Sequence, residues 1–220
     1  MAAGRTGVNL GAAWVAVWAS DGSRLKGGVW DESPSRSRYV KDFFMPLLPP
    51  IGAEIPCSSL AINTPLQVGA DVLTVDFRGG FKHRVDVNLD DPINSVRLRL
   101  VGLKFTAEIS AEAGGGTVTI EQGDVDVDAK GRLTVVQQFP PKFDCFLDLG
   151  TCSLTVERPG SDPLVLLPKE AGATMVGKLT QCPPRGDLFQ LKAPVEFVDP
   201  DKPDDVAAVL QEFPAKVGGL

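Results

Sequence analysis

At 220 residues the chain is long enough to bury about 70% of its unfolded surface, so it needs neither disulfides nor metals to hold a core. Lys plus Arg number 22 against 28 Asp plus Glu, a net charge of −6 with no basic cluster to offset it, which argues against nucleic acid and anionic membranes as partners. The single histidine excludes a multi-histidine metal site, and 23 glycines with 18 prolines suit short strands and tight turns better than a helical bundle.

Residues 1–44 differ in composition from the rest of the chain. They hold all three tryptophans, Trp14, Trp18 and Trp30, together with the only tyrosine, Tyr39. This segment is expected to be an N-terminal extension to a single all-β domain spanning 45–220. Arg5 before the apolar run Val8–Trp18 loosely resembles a secretory leader. Asn9 and two tryptophans interrupt that run, and no N-x-[ST] acceptor accompanies it, so a cytoplasmic location is expected, with secretion as the alternative. Met45 would also serve as an internal start. Met45–Pro56 carries four prolines and reads as a linker or edge covering.

Strand patterns begin at Leu60. Asp71–Phe77 places Leu73, Val75 and Phe77 on one side, and Phe81, His83, Val85, Val87 and Leu89 continue the alternation. A three-residue turn, Arg78-Gly79-Gly80, would pair Phe77 with Phe81 and unite the two faces as a hairpin. From Val96 the alternation runs Val96, Leu98, Leu100, shifts phase at Gly102, and resumes as Leu103, Phe105, Ala107, Ile109. Beyond Gly114-Gly115-Gly116 the run Val118, Ile120 shifts at Gly123 before Val125 and Val127. Folding back about Glu112-Ala113 sets Phe105 opposite Ile120, Leu100 opposite Val125 and Gly102 opposite Gly123, the register that keeps every apolar pair on one face. Mid-strand glycines mark bends or bulges where a sheet curls. A further turn at Ala129-Lys130-Gly131 would set Val127 opposite Leu133 in a meander. Strands are predicted over 143–149, 153–157, 164–167, 174–180 and 188–198, and a short helix over 204–213 stopped by Pro214. The fold class is all-β, an antiparallel barrel or strongly curled sandwich of about ten strands with one C-terminal helix.

Four features bear on chemistry. His83 is either a half-solvated or hydrogen-bonded core residue, or an acid/base group in an apolar cavity with its pKa depressed by desolvation. Gln122 shares the face of Phe105 and Ile120, so an amide is aimed inward and must find partners or line a wet cavity. Cys57, Cys145, Cys152 and Cys182 lack any C-x-x-C and read as buried free thiols, or as a disulfide pair in an oxidising compartment. Asp124, Asp126 and Asp128 mimic the start of a calcium loop, yet Ala129 and Val135 stand where glycine and glutamate are needed. No G-x-S-x-G, P-loop or dinucleotide fingerprint occurs, so no cofactor is expected.

The leading functional expectation is a barrel that encloses a hydrophobic small molecule and folds it for a cofactor-independent cyclisation or isomerisation. His83 would be its catalytic residue, with Gln122, Phe77, Phe105, Tyr39 and Trp30 binding substrate. Two other classes stand beside it: a non-catalytic β-sandwich interaction or structural module, and a hydrolase pairing a serine or cysteine with His83. An interior cavity above roughly 300 Å3 at His83 or Gln122 would favour the ligand reading, and a filled interior the module.

Overall fold

A computed structural model describes residues 47–123, 127–150, 152–170 and 173–219. The predicted N-terminal extension, with Trp30 and Tyr39, lies outside them, as do Asp124, Val125 and Asp126. The described chain is an antiparallel sheet of thirteen strands: β1 Glu54–Val68, β2 Asp71–Val87, β3 Ser95–Glu108, β4 Thr117–Gln122, β5 Gly131–Gln137, β6 Lys142–Asp148, β7 Cys152–Glu157, β8 Leu164–Pro168, β9 Thr174–Leu179, β10 Asp187–Leu191, β11 Val195–Asp199, β12 Lys202–Leu210 and β13 Ala215–Gly219. Among the described residues only a single 3-10 turn, Ala111–Ala113, departs from strands and loops. All-β is therefore the fold class. Among the described residues no helix is long and apolar enough to cross a membrane.

The sheet closes twice. The three long strands β1, β2 and β3 are common to two circuits of eight strands each: one returns to β1 through β4, β7, β8, β11 and β12, the other through β5, β6, β9, β10 and β13. The sharing works because each outer long strand changes partner along its length. β1 pairs β13 over Cys57–Ala61 and β12 over Leu66–Val68. β3 pairs β5 over Ser95–Leu98 and β4 over Lys104–Glu108. Closure gives each of these strands a partner on both sides, and an eight-stranded circuit is just wide enough to be filled by side chains or to hold one small ligand.

All three shared strands are irregular where the circuits meet. β1 breaks register between Ala61 and Thr64, with Asn63 left-handed at φ 54° and its N–H donating to Asp76 Oδ1 at 2.8 Å. β3 breaks register against β2 between Lys82 and His83, which places a bulge at Val101 beside Gly102. β2 passes through on Gly79 and Gly80. A Cβ at Gly79 would strike the Lys104 carbonyl and lie 2.7 Å from Phe105 Cα, and one at Gly80 would strike the Cys57 carbonyl. Only glycine lets the three backbones approach this closely.

Several sequence expectations are met and several corrected. Phe105 opposes Ile120 about a turn at residues 111–113, as the alternation required. Gly79-Gly80 is not a hairpin turn but the middle of the seventeen-residue strand β2. A three-residue loop and an unbroken strand both keep Phe77, Phe81 and His83 on one face, so alternation could not separate them. The meander is also replaced: Leu133 pairs Val96 on one side and Cys145 on the other. The predicted strand 188–198 splits around Pro194, sending β10 to one circuit and β11 to the other. Residues 204–213 form no helix. β12 lies between β1 and β11, and this pairing on both sides overrides local helical preference, with Ala208 and Leu210 buried at period two. Among the described residues the strand count is thirteen rather than about ten.

Candidate functional site

Each circuit has its own apolar interior. The circuit through β4 is filled around Phe213, whose ring stands edge-on to Phe105 at 5.1 Å and tilted to Phe77 at 5.5 Å. A residual cavity of about 20 Å3 remains there, touched by Phe105, Ile120, Phe197 and Phe213. The circuit through β5 holds His83. This side chain is 3% exposed on β2, between Ile55 of β1 and Leu100 of β3. The imidazole meets Phe81 edge to face at 5.1 Å, and Phe81 in turn meets Phe189 at 6.2 Å. Phe189 fits because its cross-strand partner is Gly177, where a Cβ would sit 2.8 Å from its ring.

His83 faces a cavity of about 30 Å3, whose walls include Phe81, Leu98, Leu133, Leu147 and Phe189, with no Asp, Glu, Lys or Arg among the described lining residues. Its Nε2 is buried without a hydrogen-bond partner. Desolvation pushes its pKa from 6.5 down to about 4, so the ring is neutral at physiological pH. It is consequently a poor general base near pH 7 and a competent neutral hydrogen-bonding group. Three thiols, Cys57, Cys145 and Cys182, border the same cavity. Burial raises their pKa values, to about 11 for Cys57 and Cys182 and further for Cys145, so they are protonated thiols rather than thiolates. A nucleophile–histidine pair needs a serine or cysteine hydrogen-bonded to the ring, and Nε2 has no such partner. All four cysteines, Cys152 included, are free.

Ten of the cavity's twelve bordering residues lie on strands, and the remaining two, Cys182 and Pro184, belong to the loop 180–186 between β9 and β10. This loop is fastened at its ends. Asp187 Oδ1 accepts hydrogen bonds from the Thr180 N–H at 3.1 Å and hydroxyl at 3.0 Å, and the Gly186 N–H donates to the Val217 carbonyl at 2.6 Å. It is the part of the wall that lies outside the strand ladders.

The sequence-predicted site residues are divided between the circuits. Phe77 and Phe105 meet at Phe213, in the circuit opposite His83. Gln122 closes β4, where its Nε2 donates to the Leu100 carbonyl at 3.3 Å and its Oε1 is buried without a partner. Leu100 also opposes His83, so one backbone residue is what links the two polar groups. The sequence reading of free thiols holds, three of the four being buried, but their convergence with the loop on His83 is a product of closure and leaves no mark in spacing. Phe189 lies on the strand expected over 188–198, and spacing does not reveal it as a neighbour of His83.

An antiparallel all-β protein with two closed circuits and one buried imidazole is the class these observations define. No protein family matches the chain, and no curated protein does. Among solved structures the chain is similar to DynF from the dynemicin biosynthesis pathway of Micromonospora chersina, with a TM-score of 0.56 at 17% identity, over 79% of this chain and 83% of that one. The likeness is one of fold.

Proposed function

We propose that the chain binds a hydrophobic small molecule inside the circuit through β5, with His83 supplying the polar contact that orients it. The observation that carries this reading is the Nε2 atom buried without a partner in an otherwise apolar chamber. An unsatisfied buried polar group costs about 1–3 kcal/mol, and a leucine on that wall would avoid the cost. A chamber of about 30 Å3 accommodates one water, but a buried water needs two to four polar partners, and here His83 is joined only by weakly bonding thiols. A ligand's polar atom at Nε2, with its apolar remainder against the phenylalanines and leucines, satisfies the site better. Access is through the loop carrying Cys182 and Pro184. The resemblance in fold to a protein of a biosynthesis pathway supports a small-molecule role. If the bound molecule reacts, the chamber favours a cofactor-independent cyclisation or isomerisation driven by holding the substrate in one conformation.

The two interiors, at about 20 and 30 Å3, fall far below the 300 Å3 that a preformed ligand cavity leads one to expect, and this favours a second reading, a non-catalytic module with a filled core. One experiment separates them. Protein purified from its own host is analysed by native mass spectrometry, beside a Leu133→Trp variant that fills the chamber. A co-purifying hydrophobic compound, present in the wild type and lost from the folded variant, supports the binding reading. Wild-type protein free of any compound, and insensitive in melting temperature to a library of hydrophobic small molecules, overturns it in favour of the module.

A further inference from the structure

We infer that the ligand of the His83 chamber is an uncharged molecule, largely hydrocarbon or aromatic, carrying one hydrogen-bonding oxygen or nitrogen at the end that enters first. This rests on the binding reading above and adds the chemical class. Among the described residues the chamber wall contains no ionised side chain of either sign, so an entering carboxylate, phosphate or ammonium would meet no counter-charge from them. Stripping water from an ion in such a place is not compensated. A pure hydrocarbon fills the space but leaves Nε2 unpartnered, as it is now. A phenol, alcohol or ketone does both: its oxygen bonds to the imidazole, which as a neutral ring has one nitrogen able to donate and one able to accept. The Phe81 and Phe189 rings, inclined to one another at 74°, both line the chamber and offer π surface suited to aromatic or unsaturated ligands. Both charge and polarity are thus selected by the wall.

The test uses three ring-matched probes in titration calorimetry at pH 7 on the full chain: 2-naphthol, naphthalene and 2-naphthoate. The expected order puts 2-naphthol first and 2-naphthoate roughly 100-fold weaker or undetectable. In the His83→Leu variant the preference for 2-naphthol over naphthalene falls by about 10-fold, because the hydroxyl is then buried without a partner. Binding of 2-naphthoate as tight as that of 2-naphthol, or a 2-naphthol preference unchanged in the variant, overturns the inference while leaving the binding reading intact. Failure of all three probes to bind counts against the binding reading itself. Should the variant not fold, the ratio of 2-naphthol to 2-naphthoate in the wild type decides the matter of charge.

Discussion

Replacing His83 by leucine should make the protein more stable, and the gain should grow as the pH falls. At pH 7 both folded and unfolded chains carry a neutral ring. The variant then gains only the relief of one unsatisfied polar atom, about 1–3 kcal/mol. For a chain of this size that is a rise in Tm of very roughly 3–10 °C. Below pH 6.5 the unfolded chain takes up a proton that the buried ring refuses until about pH 4. Over that window the unfolded state binds more protons than the native one, so this group lowers native stability as pH falls. A displacement from 6.5 to about 4 corresponds to roughly 3 kcal/mol, all of it lost by pH 4. Carboxylates titrate in the same range, which is why the difference between wild type and His83→Leu, and not either curve alone, isolates the imidazole. Urea unfolding of both proteins at pH 7.5, 6.5, 5.5 and 4.5 measures it. A stability difference that stays flat across those four pH values refutes the reasoning, since it would mean the ring is protonated or solvated in the native state. Leucine also removes the one strong hydrogen-bonding side chain among the described residues of the chamber, so the more stable variant is expected to bind less selectively, a stability–function exchange of a familiar kind.

The same geometry fixes three further outcomes. Gly79→Ala should cost at least about 3 kcal/mol in urea unfolding, because its Cβ meets backbone that cannot yield, whereas Gly102→Ala, whose Cβ would find only Lys82 Cβ at 3.9 Å, should be near neutral; equal effects would contradict the account of the crossing. Phe213→Ala should lower stability by about 3–5 kcal/mol and leave probe binding at His83 unchanged, since its rings of contact lie in the other circuit; coupled loss of binding would show the interiors to be one. Thiol labelling with Ellman's reagent at pH 8 should be slow at every cysteine, with Cys182 reacting first as the only one not fully buried, and rapid labelling of Cys145 in native protein would contradict its place in the chamber wall.

Period-two alternation carried most of the architecture. Leu73, Val75, Phe77, Phe81, His83 and Val85 share parity, and all are buried on one face of β2. The Phe105–Ile120 pairing came from the same rule. Parity says which face a residue occupies and nothing about what lies across from it. For that reason Gly79-Gly80 read equally well as a turn, Leu188–Val198 as one strand, and His83 as a neighbour of Gln122, Phe77 and Phe105. Of these, Phe77 and Phe105 belong to the opposite interior.

Antiparallel sheet, and the parity that puts the lone imidazole on the face of Phe81 and Val85, are legible in the residues alone, because alternation and glycine placement are local properties of the backbone. Tertiary structure decided that β1 and β3 change partners midway, that the sheet therefore closes twice, and that His83, Phe189 and three thiols surround one small chamber. Those are matters of long-range pairing. They depend on which strand edges meet after some hundred residues of intervening chain, and hydrogen-bonding edges look alike in every strand.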